Sequence, residues 1–122
     1  MTLTKKKFRY IAIFFPNKPA LDPGSFLDEF SGKYVEVFGT IEYFNSSSRL
    51  IKSKDSIENV YILKCNLEFL SSTLISLYLL NQEIITVSIS GTLKQVKKKT
   101  HLFLRNFFES QISIKNSSIE NM

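Results

Sequence analysis

Residues 8–15, FRYIAIFF, constrain the fold more than any other stretch of the chain. Aromatic and β-branched residues in unbroken succession favour a strand, and apolar side chains at both odd and even positions leave no face for water. Such a strand belongs in the interior of a sheet, with a neighbour on each side. Pro16 and Pro19 end it in a turn. The apolar run is too short to span a membrane or to serve as the core of a secretion signal, so cytosol or nucleus follows by elimination.

A chain of 122 residues holds one domain. We expect that domain to fill residues 1–110, with residues 111–122 a polar, flexible tail. After the first strand, Asp22 stands as a helix N-cap with Pro23 at the first helical position, and Asp28 and Glu29 read as first-turn partners of the helix dipole. Phe26, Phe30, Tyr34 and Val37/Phe38 recur at helical spacing, and Gly39 ends the helix. Residues 40–45 (TIEYFN) read as a second strand that could extend toward Ile51, the serine-rich stretch 46–58 as a long loop or distorted hairpin end, and residues 59–65 (NVYILKC) as a third strand.

Asn66 then stands as the cap of a second helix over residues 67–81, whose polarity is almost confined to Ser71, Ser72 and Ser76. A helix so apolar all round should be covered on more than one side. Residues 83–90 (EIITVSIS) alternate as a fourth strand, Gly91 breaks it, and Thr92 with Gln95 forms a T-x-x-Q capping box opening a third helix. The order β-α-β-β-α-β is that of a ferredoxin-like split βαβ, an α+β fold with a four-stranded antiparallel sheet covered on one face by two helices. A basic amphipathic C-terminal helix extends it.

Charge narrows the function. Lys and Arg outnumber Asp and Glu 16 to 11, and residues 92–109 hold five bases against one acid. Leu93, Val96, Thr100, Phe103/Leu104 and Phe107 form one stripe of that last helix, while Lys94, Lys98, His101 and Arg105 form another. Lys5, Lys6, Lys7 and Arg9 make a second basic cluster. A lysine run alone is as often a solvated face as a binding site. Lysines just after a strand-to-helix turn say more, because the backbone N–H groups of Ser90, Gly91 and Thr92 would add to the positive end of the helix. With Lys94, Lys97 and Lys98 they would cradle phosphate.

The sequence offers little to an enzyme. His101 sits among lysines with no Cys or carboxylate at a helical offset, which favours a solvated histidine over a ligand or base. Cys65, the only cysteine, reads as a small buried hydrophobe in a chain built for reducing conditions. No phosphate-binding glycine loop, nucleophile elbow or metal-ligand spacing occurs. Of the third-strand positions that an RNA-recognition motif stacks bases on, NVYILKC offers only Tyr61, so recognition of a folded RNA by backbone and shape suits the chain better.

The basic lead into KKKFRYIAI, a helix ending VFG, the run YILKCNLEFLSSTLISLYLL and a last strand entering SGTLKQVKKK follow one familiar order. Across residues 6–105 the chain resembles the Pop-five/Rpp-fourteen family of protein subunits of ribonuclease P and RNase MRP. Its 46–58 loop is longer than the family's usual link between strands 2 and 3. The resemblance implies the split βαβ fold and a non-catalytic role, bracing the catalytic RNA that matures the 5′ ends of precursor tRNA. It also implies a barrel-type partner, the thirty-kilodalton ribonuclease P subunit, alongside other proteins of the particle. Location would be nuclear or nucleolar in a eukaryote and cytoplasmic in an archaeon. No cofactor would be bound by the chain itself, with Mg2+ carried by the particle's RNA. Carried onto this sequence, Ser90, Gly91, Thr92, Lys94, Lys97, Lys98 and Arg105, with Lys5, Lys6, Lys7 and Arg9, would approach RNA, and Leu70, Leu74, Leu77 and Tyr78 would face a protein partner.

Two other readings compete. A ferredoxin-like interaction module would dimerise through its leucine-rich second helix and bind no RNA. A membrane-surface protein would use Phe103, Leu104, Phe107 and Phe108 with lysines as an interfacial helix.

Overall fold

The computed structural model describes residues 6–19, 21–52 and 56–120, with side chains described as far as Ile112. The first strand, β1 (Phe8–Phe14), is central. It pairs antiparallel with β3 (Val60–Asn66) on one side, with Phe8 opposite Asn66 and Phe14 opposite Val60. On its other side it pairs antiparallel with β4 (Ile85–Ser90), with Tyr10 opposite Ser90, and the register shifts between Ala12 and Ile13. A two-residue β2 (Arg49–Leu50) completes the antiparallel order β2-β3-β1-β4. The protein is α+β with one four-stranded sheet.

The double-sided apolar content of β1 is used on both faces. Ile11, Ile13 and Phe15 point into the larger core with Phe26, Phe30, Tyr34, Leu63, Cys65 and Leu77. That layer is built by α1 (Pro23–Phe38) and α3 (Leu70–Tyr78). Ala12 and Ile62 point the other way and meet Val96 of α4 (Leu93–Glu120). Phe14 follows them on that face, edge-on to Phe103, Phe107 and Phe108 at 6.4, 5.4 and 6.5 Å between ring centres. The C-terminal helix is thus a third layer and not an appendage. At 1.5 Å per residue it is about 42 Å long, roughly twice the length of a seven-residue strand. It runs on to Glu120, past Ser110 where the sequence turns polar.

The helix signals act as expected at α1 and α4. The Asp22 carboxylate accepts from Ser25 N at 3.0 Å, and these Ser25 hydrogen bonds hold its carboxyl below the usual aspartate range. Gly39, at φ 96°, stops α1 with its N–H on Val35 O, a conformation that side chains resist. Thr92 Oγ1 accepts from Gln95 N at 3.2 Å and opens α4.

Residues 40–45 are not a strand. They lie within a second helix, α2 (Thr40–Ser46), which restarts directly after Gly39. Tyr43 is the reason. Helical geometry brings its ring within 5.5 Å of Tyr34 and 6.5 Å of Phe30, and this packing overrides the β preference of Thr, Ile, Tyr and Phe. Ser46 is buried, with its hydroxyl donating to Tyr43 O, while Ile41 and Phe44 face outward. The second strand falls later, at Arg49–Leu50, in the serine-rich stretch and within the extension toward Ile51.

Three further expectations change. Asp28 and Glu29 lie beyond the first turn of α1, which holds no acid, and Glu29 instead accepts from Gln82 Nε2 at 3.2 Å. Asn66 makes no side-chain cap bond. A 3-10 turn (Leu67–Phe69) intervenes before α3, and Asn66 Nδ2 donates to Asn45 O at 2.6 Å, tying β3 to the end of α2. Nor is α3 covered all round. Its inner side carries Ser72, Thr73, Ser76 and Leu77, all buried, and Tyr34 Oη shares a 2.6 Å hydrogen bond with Ser72. Small residues let α3 lie close to α1, and the apolar Ile75, Tyr78 and Leu79 are left outside.

Candidate nucleic-acid interface

Antiparallel pairing of β1 with β4 sets Tyr10 against Ser90, so the residues just beyond, Arg9 and Gly91, meet at the end of the sheet. The Arg9 guanidinium lies over Gly91, 3.4 Å from where a Cβ would stand, and its Nη1 donates to Phe8 O at 2.8 Å. Gly91 does not have a positive φ, so its use is close approach and not a special backbone conformation. Ser90 is half-buried, whereas Gly91 and Thr92 are exposed. The start of α4 therefore stands beside a fixed guanidinium.

Lys94, Lys98, His101 and Arg105 are all exposed on the outer side of α4, and Lys97 is half-buried beside Val96. Lys99 leans the other way, with Nζ donating to Ile89 O at 3.4 Å. Val96 and Thr100 face inward, where the Thr100 hydroxyl bonds Val96 O at 2.6 Å and Ser88 Oγ at 2.8 Å. The two stripes read from the sequence are separate in the structure. Leu104 is buried, Phe103 and Phe107 are half-buried against Phe14, and Phe108 is 54% exposed.

The other basic cluster reaches the same end of the sheet. Lys6 and Lys7 are exposed, and Lys7 O accepts from Leu67 N at 2.8 Å, carrying the β1–β3 pairing one step further. Lys5 lies outside the described residues. Beside Lys6 and Lys7 is a cleft of about 550 Å³, walled by Asn45, Asn66, Leu67, Glu68 and Phe69. On the open part of the sheet, Lys64 Nζ sits 4.3 Å from the Phe8 ring centre and 5.5 Å from that of Tyr10, with Arg49 opposite Lys64 on β2. Sequence reasoning passed over Lys64 and Arg49, because neither belongs to a run. Their proximity arises from strand register alone.

Of the expected partner-facing residues, Leu77 is buried in the core, Leu70 and Leu74 are half-buried against it, and Tyr78 is 86% exposed. Ile41 and Phe44 on α2 are exposed as well, at 79% and 72%. Val37 on α1 and Leu102, Phe108 and Ile112 on α4 are exposed too.

Among the described residues no group of three or more His, Cys, Asp and Glu could hold a metal ion, and no helix is long and apolar enough to cross a membrane. Cys65 is buried, and that burial pushes its thiol up from the usual cysteine value. No protein-family model and no curated protein sequence matches the chain.

Proposed function

We propose that this chain is a non-catalytic protein subunit of a ribonuclease P or RNase MRP ribonucleoprotein, bracing the catalytic RNA that trims 5′ leaders from precursor tRNA. The observation that carries the reading is the meeting of Arg9 with Gly91 at the start of a helix whose outer face bears Lys94, Lys98 and Arg105. Fixed guanidinium, exposed helix N-terminus and basic stripe all favour phosphate, and none of them reads a base sequence. Lys6 and Lys7 extend the positive surface along the same end of the sheet. In this reading the sheet is a ferredoxin-like split βαβ, with α1 and α3 as its two crossover helices. The strand order β2-β3-β1-β4 supports it, and the resemblance of residues 6–105 to the Pop-five/Rpp-fourteen family supports the assignment to that particle.

The exposed Tyr78, with Ile75 and Leu79, supplies the surface for a barrel-type protein partner. Mg2+ belongs to the RNA of the particle, and the chain works in the nucleus or nucleolus of a eukaryote, or the cytoplasm of an archaeon. The test is a pull-down of tagged protein at native salt, with sequencing of the RNA and identification of the proteins retained. One structured RNA with 5′-leader cleavage activity in the eluate is the expected result, lost on Lys94→Glu with Lys98→Glu. A homodimer free of RNA would replace this reading with that of an interaction module built on the same exposed face of α3.

A further inference from the structure

We infer that the open face of the sheet around Phe8 and Tyr10 binds a single-stranded RNA segment, stacking two bases on those rings and meeting its phosphates with Lys64 and Arg49. Only the identity of the RNA that supplies the strand rests on the ribonucleoprotein reading above. Strand register builds the surface. Arg49 stands opposite Lys64, Lys64 opposite Tyr10 and Tyr10 opposite Ser90, so one row crosses all four strands. Opposite residues share a face, and this is the face on which Tyr10 packs with Ala12, Ile62 and Val96. Phe8, two residues from Tyr10 on β1, lies on it too. The helix α4 packs over β4 and β1. On β3 and β2, by contrast, Lys64 is only half-buried and Arg49 is exposed. Tyr61, the aromatic that the sequence offered on β3, is turned the other way, into the larger core beside Phe15 and Phe26.

Charge and spacing say what this face takes. The four strands contain Arg9, Arg49 and Lys64 and no acid. Among the described residues neither Arg49 nor Lys64 has a salt bridge. Lys64 is held by the rings instead, its Nζ 4.3 Å from the centre of Phe8 and 5.5 Å from that of Tyr10. Cations without acidic partners, set beside aromatic rings, fit a ligand that carries both negative charge and flat apolar surface. A nucleic-acid strand repeats that pair along its length. An acidic peptide would satisfy the cations and leave the rings unused. Stacking of a base on an aromatic ring is stronger than a solvent-exposed cation–π contact, so an arriving base displaces the ammonium and leaves it beside the phosphate. Phe8 and Tyr10 are about 6.8 Å apart along an extended strand. Neighbouring nucleotides of a duplex strand are about 3.4 Å apart, so the two rings suit bases drawn out of their stack and not paired RNA. Ring faces accept any base, which makes the contact tolerant of sequence.

The experiment measures binding of a fluorescein-labelled uridine octamer to the full-length protein by anisotropy at low salt. Saturable binding is expected, and Phe8→Leu and Tyr10→Leu should each weaken it at least about fivefold. Arg49→Gln and Lys64→Gln should each take about 0.7 from the slope of log K against log salt. Circular dichroism of each variant checks the fold. If Tyr10→Leu, which touches the smaller core, is unfolded, Phe8→Leu at the end of the strand decides. Binding of a blunt RNA duplex should not respond to Phe8→Leu, and a response equal to the octamer's would overturn the single-strand assignment. Failure of the octamer to bind, or equal binding by Phe8→Leu, would overturn it as well. So would a glutamate octapeptide that competes as well as unlabelled octamer, since that leaves an anion-binding face with no role for the rings. The pull-down above answers a separate question: retention of an RNA from neither ribonuclease P nor RNase MRP would overturn that reading and leave the stacking face standing.

Discussion

Arg9 and Gly91 are in contact across the β1–β4 pair, with Nη1 of the arginine 3.4 Å from the position a Gly91 Cβ would take. Two basic regions more than eighty residues apart in sequence are joined at this point. Alanine at position 91 meets ordinary contact distance and no backbone strain, so Gly91→Ala should change stability by no more than about 0.5 kcal/mol. Gly91→Asp should fold equally well but place a carboxylate on Arg9, and RNA association should drop. Urea melts alongside filter binding check both halves. Equal RNA binding by Gly91→Asp would remove this contact from the interface.

Lys94 and Lys98 stand on the outer stripe of α4, away from the buried Val96 and Thr100. Their replacement by Gln should leave the melting curve in place. If each meets a phosphate, affinity for the RNA of the proposed particle should fall and the slope of log K against log salt should lose about one per lysine. A weaker affinity with an unchanged slope would argue against direct phosphate contact.

The hydroxyl pair Tyr34–Ser72 is 2.6 Å long and buried between α1 and α3. Ser72 Oγ also donates to Phe69 O at 3.1 Å, which makes the tyrosine the donor to Ser72. Burial raises the phenol above the ordinary tyrosine value and keeps that proton in place. Tyr34→Phe removes the donor and leaves the ring, so the cost should be about 1 kcal/mol in chemical denaturation. A neutral substitution would mean that close helix packing, and not the hydrogen bond, is what the inward serines provide.

Asp22 caps α1 through Ser25, and its carboxyl is held below the ordinary value of 3.8. A depressed folded-state value means stability present above the unfolded value and lost as pH falls through the folded one. Asp22→Ala should therefore melt earlier than the native protein at pH 7, and the gap should close as the pH is taken well below 3.8. A gap that persists in acid would assign the effect to the backbone of the loop and not to the charge.

What the sequence made legible was local. Asp22-Pro23, Gly39 and Thr92 mark helix ends through bonds within four residues of themselves, so the pattern contains the answer. Phe8 to Phe14 announces a buried central strand because burial on both faces is written into its composition. What was not legible depends on distant partners. Residues 40–46 have the composition of a strand until Tyr43 finds the rings of Phe30 and Tyr34. Ser72 and Ser76 look like the wet side of α3, yet the need for close approach to α1 and for a partner to Tyr34 turns them inward. At the candidate interface the lysines of α4 were readable as a stripe, whereas the Arg9–Gly91 contact and the pairing of Arg49 with Lys64 follow from strand register.

The place of α4 is the last point at which sequence and structure part, and it yields the sharpest stability test. Read from its charges, the helix could be an extension that leaves the domain intact when it detaches. In the structure Val96 is fully buried against Ala12 and Ile62, and Phe107 closes on Phe14 at 5.4 Å. The second face of β1 has no other cover of this kind among the described residues, so helix and sheet should unfold as one unit. Val96→Ala deletes two buried carbons and leaves a cavity, at a cost of about 2 kcal/mol. Far-ultraviolet circular dichroism and tyrosine fluorescence should report one transition with one midpoint, shifted by the same amount. If fluorescence kept the native midpoint while part of the helical signal melted early, α4 would be a separable arm. The basic stripe would then have to meet the proposed RNA without the guanidinium of Arg9 fixed beside it.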